Sequence, residues 1–524
     1  MNRSLKDAAM ALSLANLCFM VTWAELVAEP LKRFNTSLSI MINVLLLAIV
    51  FWLALNLARR AKTPFVLKLA HLVFPLLLLI PLNGLLQRLL PGKRPVIELG
   101  LLVLAIAWIG LFELKPWHGA IIRGAKAVVA VLFPFFLVTF FQASSALTKA
   151  SDKPPLRPVS AQSKTSPRVL WLLFDEMDQQ VTFSRRPATV KLEELDRLRC
   201  QAIYASNAYP PSDCTEVSVP ALITGKLLSD SQFADISRLM ITPADSGRPV
   251  SVGTQPNVFS RAREAGFNTA SIGYYLPCSI VGESLNQCSW RDPGTLTLRE
   301  TMSGQIESLL NAIPIASAFW MARTAKSDQR QNRQRQRDAY TGILEDAKKA
   351  AVDPSLGLIF VHLPVPHPPG IYDRQKEAFE LEGESSYLDN LQLADHALGD
   401  LRRVMEDAGM WDDTIVLVTS DHWWRCDIWG PGYMWTRKDG VVITADKDHR
   451  VPFVLKLVGQ REGVTYDGEF NSVLTHDLLL ALLKNEVSSP DSVTNWLDGN
   501  RSIGESPYRF MGENTSKPVE AQSQ

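Results

Sequence analysis

Five stretches, roughly 8–28, 38–58, 65–86, 98–114 and 125–145, are almost continuous in Leu, Val, Ile, Ala and Phe. Each is near the ~20 residues that a helix needs to cross a ~30 Å hydrocarbon layer. The pattern therefore predicts five membrane-spanning helices within residues 1–146. From about residue 168 the texture changes to that of a globular domain. Arg168 is followed by VLWLLF and Asp175, a short run that is apolar throughout and ends in acids. Residues 356–363 and 414–420 read in the same way, the latter followed by Asp421 and His422. Such runs are the signature of buried parallel strands. Between the last two, Ser386–Gly409 sets Leu388, Leu391, Ala394, Leu398 and Leu401 on one stripe of an amphipathic helix. Strands alternating with helices predict an α/β domain with a mostly parallel sheet, whose ligands gather beyond the carboxyl ends of the strands. Those ends carry Asp175, Asp421 with His422, and, a little beyond the second run, His367.

Residues 147–167 are rich in Pro, Ser and Lys with almost no large apolar side chain, which predicts a linker. The expected division is thus a five-helix transmembrane domain at 1–146, a linker at 147–167 and a catalytic α/β domain at 168–524. The segment 306–320, with Leu309, Leu310, Ile313 and Phe319, suits either a core-facing helix or one lying on the bilayer. The basic, Gln-rich run at 326–337 reads as a solvated helix face, with a phospholipid-facing role the alternative.

Charge settles the expected orientation. Lys and Arg in and near the loops number nine on the side of the N-terminus (Arg3, Lys6, Arg59, Arg60, Lys62, Lys68, Lys115, Arg123, Lys126) and five on the other (Lys32, Arg33, Arg88, Lys93, Arg94). By the positive-inside rule the N-terminus is cytoplasmic and the chain after residue 146 lies outside, in the periplasm of a bacterial inner-membrane protein. Glu25 near the end of the first stretch and the lack of a small-x-small cleavage site argue that this stretch is retained. Lys+Arg and Asp+Glu both number 54, and no nucleic acid is expected as a partner. Cys278 and Cys288, ten apart around Gly282, are placed to staple one loop in an oxidising compartment.

Four pieces carry chemistry: Phe174-Asp175-Glu176, the run from Thr215 to Gly225 (TEVSVPALITG), His362 to Pro369 with His367 inside it, and Ser420-Asp421-His422 with His449-Arg-Val-Pro-Phe downstream. Carboxylate oxygens and imidazole nitrogens suit a hard or borderline divalent cation. A Thr hydroxyl is a poor nucleophile unless a base or a metal lowers its pKa. Thr215 also suits the start of a helix, where it would act as a cap.

In this order the pieces resemble the alkaline-phosphatase superfamily, which includes sulfatases and the membrane-bound phosphoethanolamine and phosphoglycerol transferases. The resemblance covers about residues 168–485 and includes Leu195-Asp196-Arg197-Leu198 and the 387–401 segment. It implies Thr215 as nucleophile and metal ligand, with Asp175, Asp421 and His422 as further ligands and Glu176 as the rival of Asp175. It implies His367 and His449 as residues that bind the substrate phosphoryl group or hold a second metal, and a divalent cofactor, Zn with Mn or Mg as alternatives. Five helices ahead of such a domain resemble the lipid-modifying transferases in particular. The activity so implied is transfer of phosphoethanolamine or phosphoglycerol from a phospholipid donor to a periplasmic glycan or lipid-linked sugar acceptor, through a phospho-threonine. A membrane-anchored phosphodiesterase or phosphatase, and a non-catalytic partner in envelope-polysaccharide assembly, are the alternatives. Two departures narrow the chemistry. Cys214 is not in the Cys-x-Pro/Ala-x-Arg setting that sulfatases use to make formylglycine, and Leu363 stands where two-metal phosphodiesterases place an Asp. Beyond Ser-Asp-His the chain has Trp423-Trp424-Arg425, an expected specialisation of the acceptor site.

Overall fold

The computed structural model describes all residues except 1–2, 29–32, 61–63, 91, 113–114, 150–155, 158–166, 236–237, 292–296, 314–315, 427–435, 441, 443–447 and 502–524. The side chain of Glu25 and most of the expected linker lie outside the described residues. The chain divides into two compact units, one formed chiefly by Met1–Ala150 with Thr295–Asp328, the other by Ser151–Gly294 with Gln329–Lys517.

In the first unit the helices are Arg3–Cys18, Met20–Ala28, Arg33–Arg60, Pro64–Leu77, Leu79–Leu89, Arg94–Phe112, Lys115–Val131 and Phe133–Lys149. Proline accounts for two of the breaks. Pro75 and Pro134 each lack the N–H that would continue the ladder, and the chain tightens beside them, with Leu78 donating to the Pro75 carbonyl and Phe135 to that of Leu132. Among the described residues, three stretches are long and apolar enough to cross a membrane: Thr36–Leu57, His71–Leu89 and Gly119–Ser144. Leu46, Ile49, Val50, Leu53 and Leu57 are all exposed along the first of these, as suits a surface that meets lipid. The helix Leu298–Asn311 also belongs to this unit, although it comes from the middle of what the sequence presents as one continuous catalytic domain.

The second unit is built on a nine-stranded sheet. Its strands are β1 (Val169–Asp175), β2 (Ile203–Tyr209), β3 (Thr269–Gly273), β4 (Gln287–Trp290), β5 (Leu358–Pro366), β6 (Ile415–Ser420), β7 (Val451–Lys456), β8 (Val464–Tyr466) and β9 (Phe470–Asn471). The order is β8-β2-β7-β6-β1-β5-β3-β4, with β9 alongside β2. Every pairing is parallel except those of β7, which runs against both β6 and β2. This is the mostly parallel α/β sheet that the apolar runs predict. β1, β5, β6 and β7 are buried at every residue, because layers of helix and loop cover both faces.

The amphipathic helix is Tyr387–Asp407, opened by a capping box between Ser386 and Asp389, and all five stripe residues are buried in the core. Cys278 and Cys288 form a disulfide. A further three-stranded antiparallel sheet, Leu228–Asp235, Arg238–Pro243 and Val250–Ser251, follows the helix that starts at Thr215.

Candidate functional site

The sheet order brings the chemistry-bearing residues together. β1 and β6 are parallel neighbours in register from Val169/Ile415 to Phe174/Ser420, so Asp175 and Asp421 emerge side by side at their carboxyl ends. β5 flanks β1 on the other side, with Asp175 opposite Pro366, and the His367 N–H donates to the Asp175 carbonyl. β7 is antiparallel to β6, so its beginning, where His449 lies, falls at the same sheet edge. β2 is antiparallel to β7 in turn, and its carboxyl end leads through residues 210–214 into the helix Thr215–Thr224.

Thr215 is the first helical residue. The cap position belongs to Cys214, whose side chain makes no capping bond among the described residues. The Thr215 hydroxyl is instead 3.3 Å from His422 Nε2 and 3.5 Å from Asp175 Oδ1. Ten residues separate Thr215 from Gly225 because they span this one helix, and Gly225 closes it in the left-handed region at φ +68°. A Cβ there would also stand 2.7 Å from the ring of His476. His476 is therefore buried against the end of the helix and does not lie on a helix surface.

Asp175, Asp421 and His422 each turn a ligand-type atom to a common point, all within 4.8 Å of one another, and all three are buried. His422 Nδ1 is 2.9 Å from the Trp423 carbonyl, a contact that makes Nδ1 the protonated nitrogen and leaves the Nε2 lone pair facing the carboxylates, 3.5 Å from Asp175 and 3.4 Å from Asp421. Asp421 Oδ1 accepts from the N–H groups of Glu176 and His422. The Ser420 hydroxyl donates to the Phe174 carbonyl and accepts from the Met177 N–H, which stitches the ends of β1 and β6.

The second carboxylate oxygens of Asp175 and Asp421 are buried without a hydrogen-bond partner among the described residues. Burial first, then the charges of Asp421 and Glu176, hold the Asp175 carboxyl well above the usual carboxylate range. Burial pushes Asp421 upward too, but its polar surroundings, with the imidazoles nearby and hydrogen bonds from the Thr215 hydroxyl and the Glu176 N–H, outweigh it and draw its pKa down. Buried carboxylate oxygens without hydrogen-bond partners and an imidazole nitrogen turned to the same point are a donor set suited to a cation, so these residues fit a divalent metal.

Glu176 stands beside this group. It takes a positive φ of 64°, and its fully buried carboxylate accepts from the Arg425 backbone N–H at 2.8 Å and from Arg425 Nε at 3.3 Å. Its other oxygen is 3.7 Å from His367 Nε2. His367, partly exposed at the mouth, has its pKa lowered by desolvation. His449 is at φ +58° with its ring edge-on to Trp423 at 4.4 Å, so among the described contacts it meets the site through that indole. Trp424 stacks on Tyr387 at 4.2 Å, and the Tyr387 hydroxyl donates to the Glu176 carbonyl. Arg425 is the functional candidate that the sequence reading left as a generality. Its only sequence signal is its place three residues after His422. His362 on β5 is buried with Nε2 unpartnered, and desolvation lowers its pKa to about 4, so it is a neutral residue behind Asp421.

The model of the family described as Sulfatase matches residues 167–481, more than half of the chain. The chain belongs to the sulfatase family. Sulfatase-family and alkaline-phosphatase-superfamily enzymes use divalent metals, with which the buried Asp175–Asp421–His422 group is compatible. No curated protein matches the sequence. Among solved structures, the phosphonate monoester hydrolase of Agrobacterium radiobacter is 14% identical, over 61% of this chain and 74% of that one, at a TM-score of 0.38. A protein in the alkaline phosphatase superfamily from Vibrio parahaemolyticus is 15% identical, over 62% and 68%, at a TM-score of 0.39. Ps i-CgsB is 13% identical, over 63% and 74%, at a TM-score of 0.40. Likeness at this level carries no argument about the chemistry of this sulfatase-family chain.

Proposed function

We propose that this sulfatase-family protein is a membrane-anchored phospho-group transferase that moves phosphoethanolamine or phosphoglycerol from a phospholipid to an envelope glycan or lipid-linked sugar. The observation that carries the reading is the Thr215 hydroxyl, held between Asp175 and His422 at the start of a helix. That position is favourable for an anionic phosphoryl group, because the first turn presents free N–H groups and the positive end of the helix dipole. A threonine there, without the formylglycine signature around Cys214, supports phosphoryl chemistry over sulfate-ester hydrolysis.

Asp175, Asp421, His422 and Thr215 would hold a divalent ion, with Zn the first expectation and Mn or Mg the alternatives. When bound, that ion supplies positive charge that lowers the hydroxyl pKa and neutralises the phosphoryl oxygens. Thr215 Oγ1 forms a bond to phosphorus, the bond from phosphorus to the glycerol oxygen breaks, and the hydroxyl proton ends on the released diacylglycerol. An acceptor hydroxyl then attacks the phosphorus, the Oγ1 bond breaks, and the acceptor's proton returns to Thr215. Arg425 and His367 stand at the mouth to bind the remaining phosphoryl oxygens, with Glu176 orienting both. His449 and Trp423 form the adjoining wall.

The membrane reading goes beyond the three apolar stretches. Residues 8–28 and 98–114 complete five spans, in the inner membrane with the catalytic unit in the periplasm. A lipid donor follows from the anchor, since a substrate confined to the bilayer is best met by a tethered enzyme. The test is a mass spectrum of the Thr215 peptide from full-length protein quenched during turnover with phospholipid. A head-group phosphate on Thr215, discharged to a sugar acceptor, supports transfer. Discharge to water alone makes the protein a phosphodiesterase, and an unmodified Thr215 in an active sample overturns the reading.

A further inference from the structure

Two buried asparagines sit inside the membrane-crossing stretches, where polar side chains are costly and need a partner. Asn43 lies in Thr36–Leu57 and Asn83 in His71–Leu89, and both are buried. Both find their partners on the segment that the catalytic sequence sends into this unit. Asn43 Nδ2 donates to Gln305 Oε1 at 2.9 Å and to the Met302 carbonyl at 3.1 Å. Gln305 Nε2 donates to the Thr36 carbonyl at 3.1 Å, and Asn83 Nδ2 to the Ala312 carbonyl at 2.9 Å. Leu309 packs against the cluster that contains Trp23 and Val44.

The depth follows from helix geometry. Asn43 is seven residues past Thr36, about 10 Å along the axis, and Asn83 is six before Leu89, about 9 Å. These two ends belong to consecutive antiparallel spans and therefore share one membrane face. A helix of 14 residues, about 21 Å long, is too short to cross and lies level with that face. Its Thr301 and Gln305 are turned inward, while Ile306 remains 43% exposed.

We propose that residues 297–313 are a membrane-embedded strap, by which the catalytic chain is held in the lipid layer at its middle as well as at its start, with the bilayer as the partner of its outward face. The strap's value for catalysis rests on the transferase reading, because only a bilayer-resident donor requires the enzyme to be kept at the lipid surface.

The experiment uses full-length protein in nanodiscs of phosphatidylethanolamine and phosphatidylglycerol. A nitroxide on Ile306→Cys, with the free cysteines replaced by Ser, is expected to relax with dissolved oxygen and to be shielded from a water-soluble nickel chelate. Full access to the chelate overturns the proposal. In a second arm, Asn43→Leu combined with Gln305→Leu is expected to slow head-group release from the bilayer lipid about tenfold, through loss of effective concentration at the surface. Hydrolysis of water-soluble bis(p-nitrophenyl) phosphate should stay unchanged in the same variant. An equal loss on both substrates, or on neither, overturns the strap. If the unaltered protein releases no head group, the transferase reading fails, and the nitroxide result still decides the strap.

Discussion

At the scale of single residues, the site is a set of buried charges that the sheet forces together. Thr215 has no capping bond to lose, so Thr215→Ala should leave the unfolding midpoint of the full-length protein nearly unchanged while removing essentially all turnover. Were the hydroxyl only a cap, the same change would cost about 0.5–2 kcal/mol of stability with activity kept. Thr215→Ser retains the oxygen and should retain measurable activity. The second prediction concerns the cation. Asp421→Asn keeps an oxygen for the two N–H groups that Asp421 Oδ1 serves, and removes the carboxylate charge. Together with His422→Ala, it should abolish bound divalent metal as measured by elemental analysis of purified protein; full metal content in both variants would put the ion elsewhere. The acids and histidines of this group were legible in the sequence because each ends or follows an apolar strand. Arg425 was not, because its role depends on Glu176 being turned toward it at positive φ, and a string of residues does not show side-chain direction.

Elements were legible in proportion to their burial. β1, β5 and β6 announce themselves as continuous apolar runs, whereas β4, β8 and β9 lie toward or along the edges of the sheet, are short, and carry polar residues that look like loop. The helix Glu193–Arg199 shows how one element is fixed by another. The Asp395 carboxylate, from the helix 387–407, accepts from the N–H groups of Glu194 and Leu195 in its first turn. Burial nevertheless outweighs those bonds and raises the Asp395 pKa to about 7. Its folded value thus lies above the unfolded one, near 3.9. The stability it contributes is fully present below pH ~4 and is lost as pH rises through its folded value. Asp395→Asn keeps an acceptor oxygen without the titration. The variant's melting temperature, followed from pH 4 to 8, should fall less with rising pH than that of the unaltered protein, and parallel curves would remove Asp395 from the account.

At the scale of the whole molecule, the two environments were plain from the hydrophobic pattern, and the excursion of 295–328 into the first unit was not. Its helix has no long apolar run, since it meets the spans through Asn43, Gln305 and Asn83, and hydropathy cannot register contacts made by amides. Those contacts bear on topology independently of charge. They tie the catalytic sequence to the face shared by Thr36 and Leu89, and the last apolar stretch must end at Ser144 on that same face for the chain to continue there. In the proposed five-span topology Arg94–Phe112 makes the crossing between Leu89 and Gly119 that this needs, as the fourth span. In the proposed orientation the opposite side, with its nine basic residues, is the cytoplasmic one. A periplasm-active reporter fused after residue 150 should therefore be active, and one fused near residue 61 inactive, when each is expressed in a bacterial envelope. Reversed activities would overturn the orientation and the lipid-donor argument with it. Activity at both positions would instead make the number of crossings between them even, and the parity of spans that places Thr36, Leu89 and Ser144 together would fail.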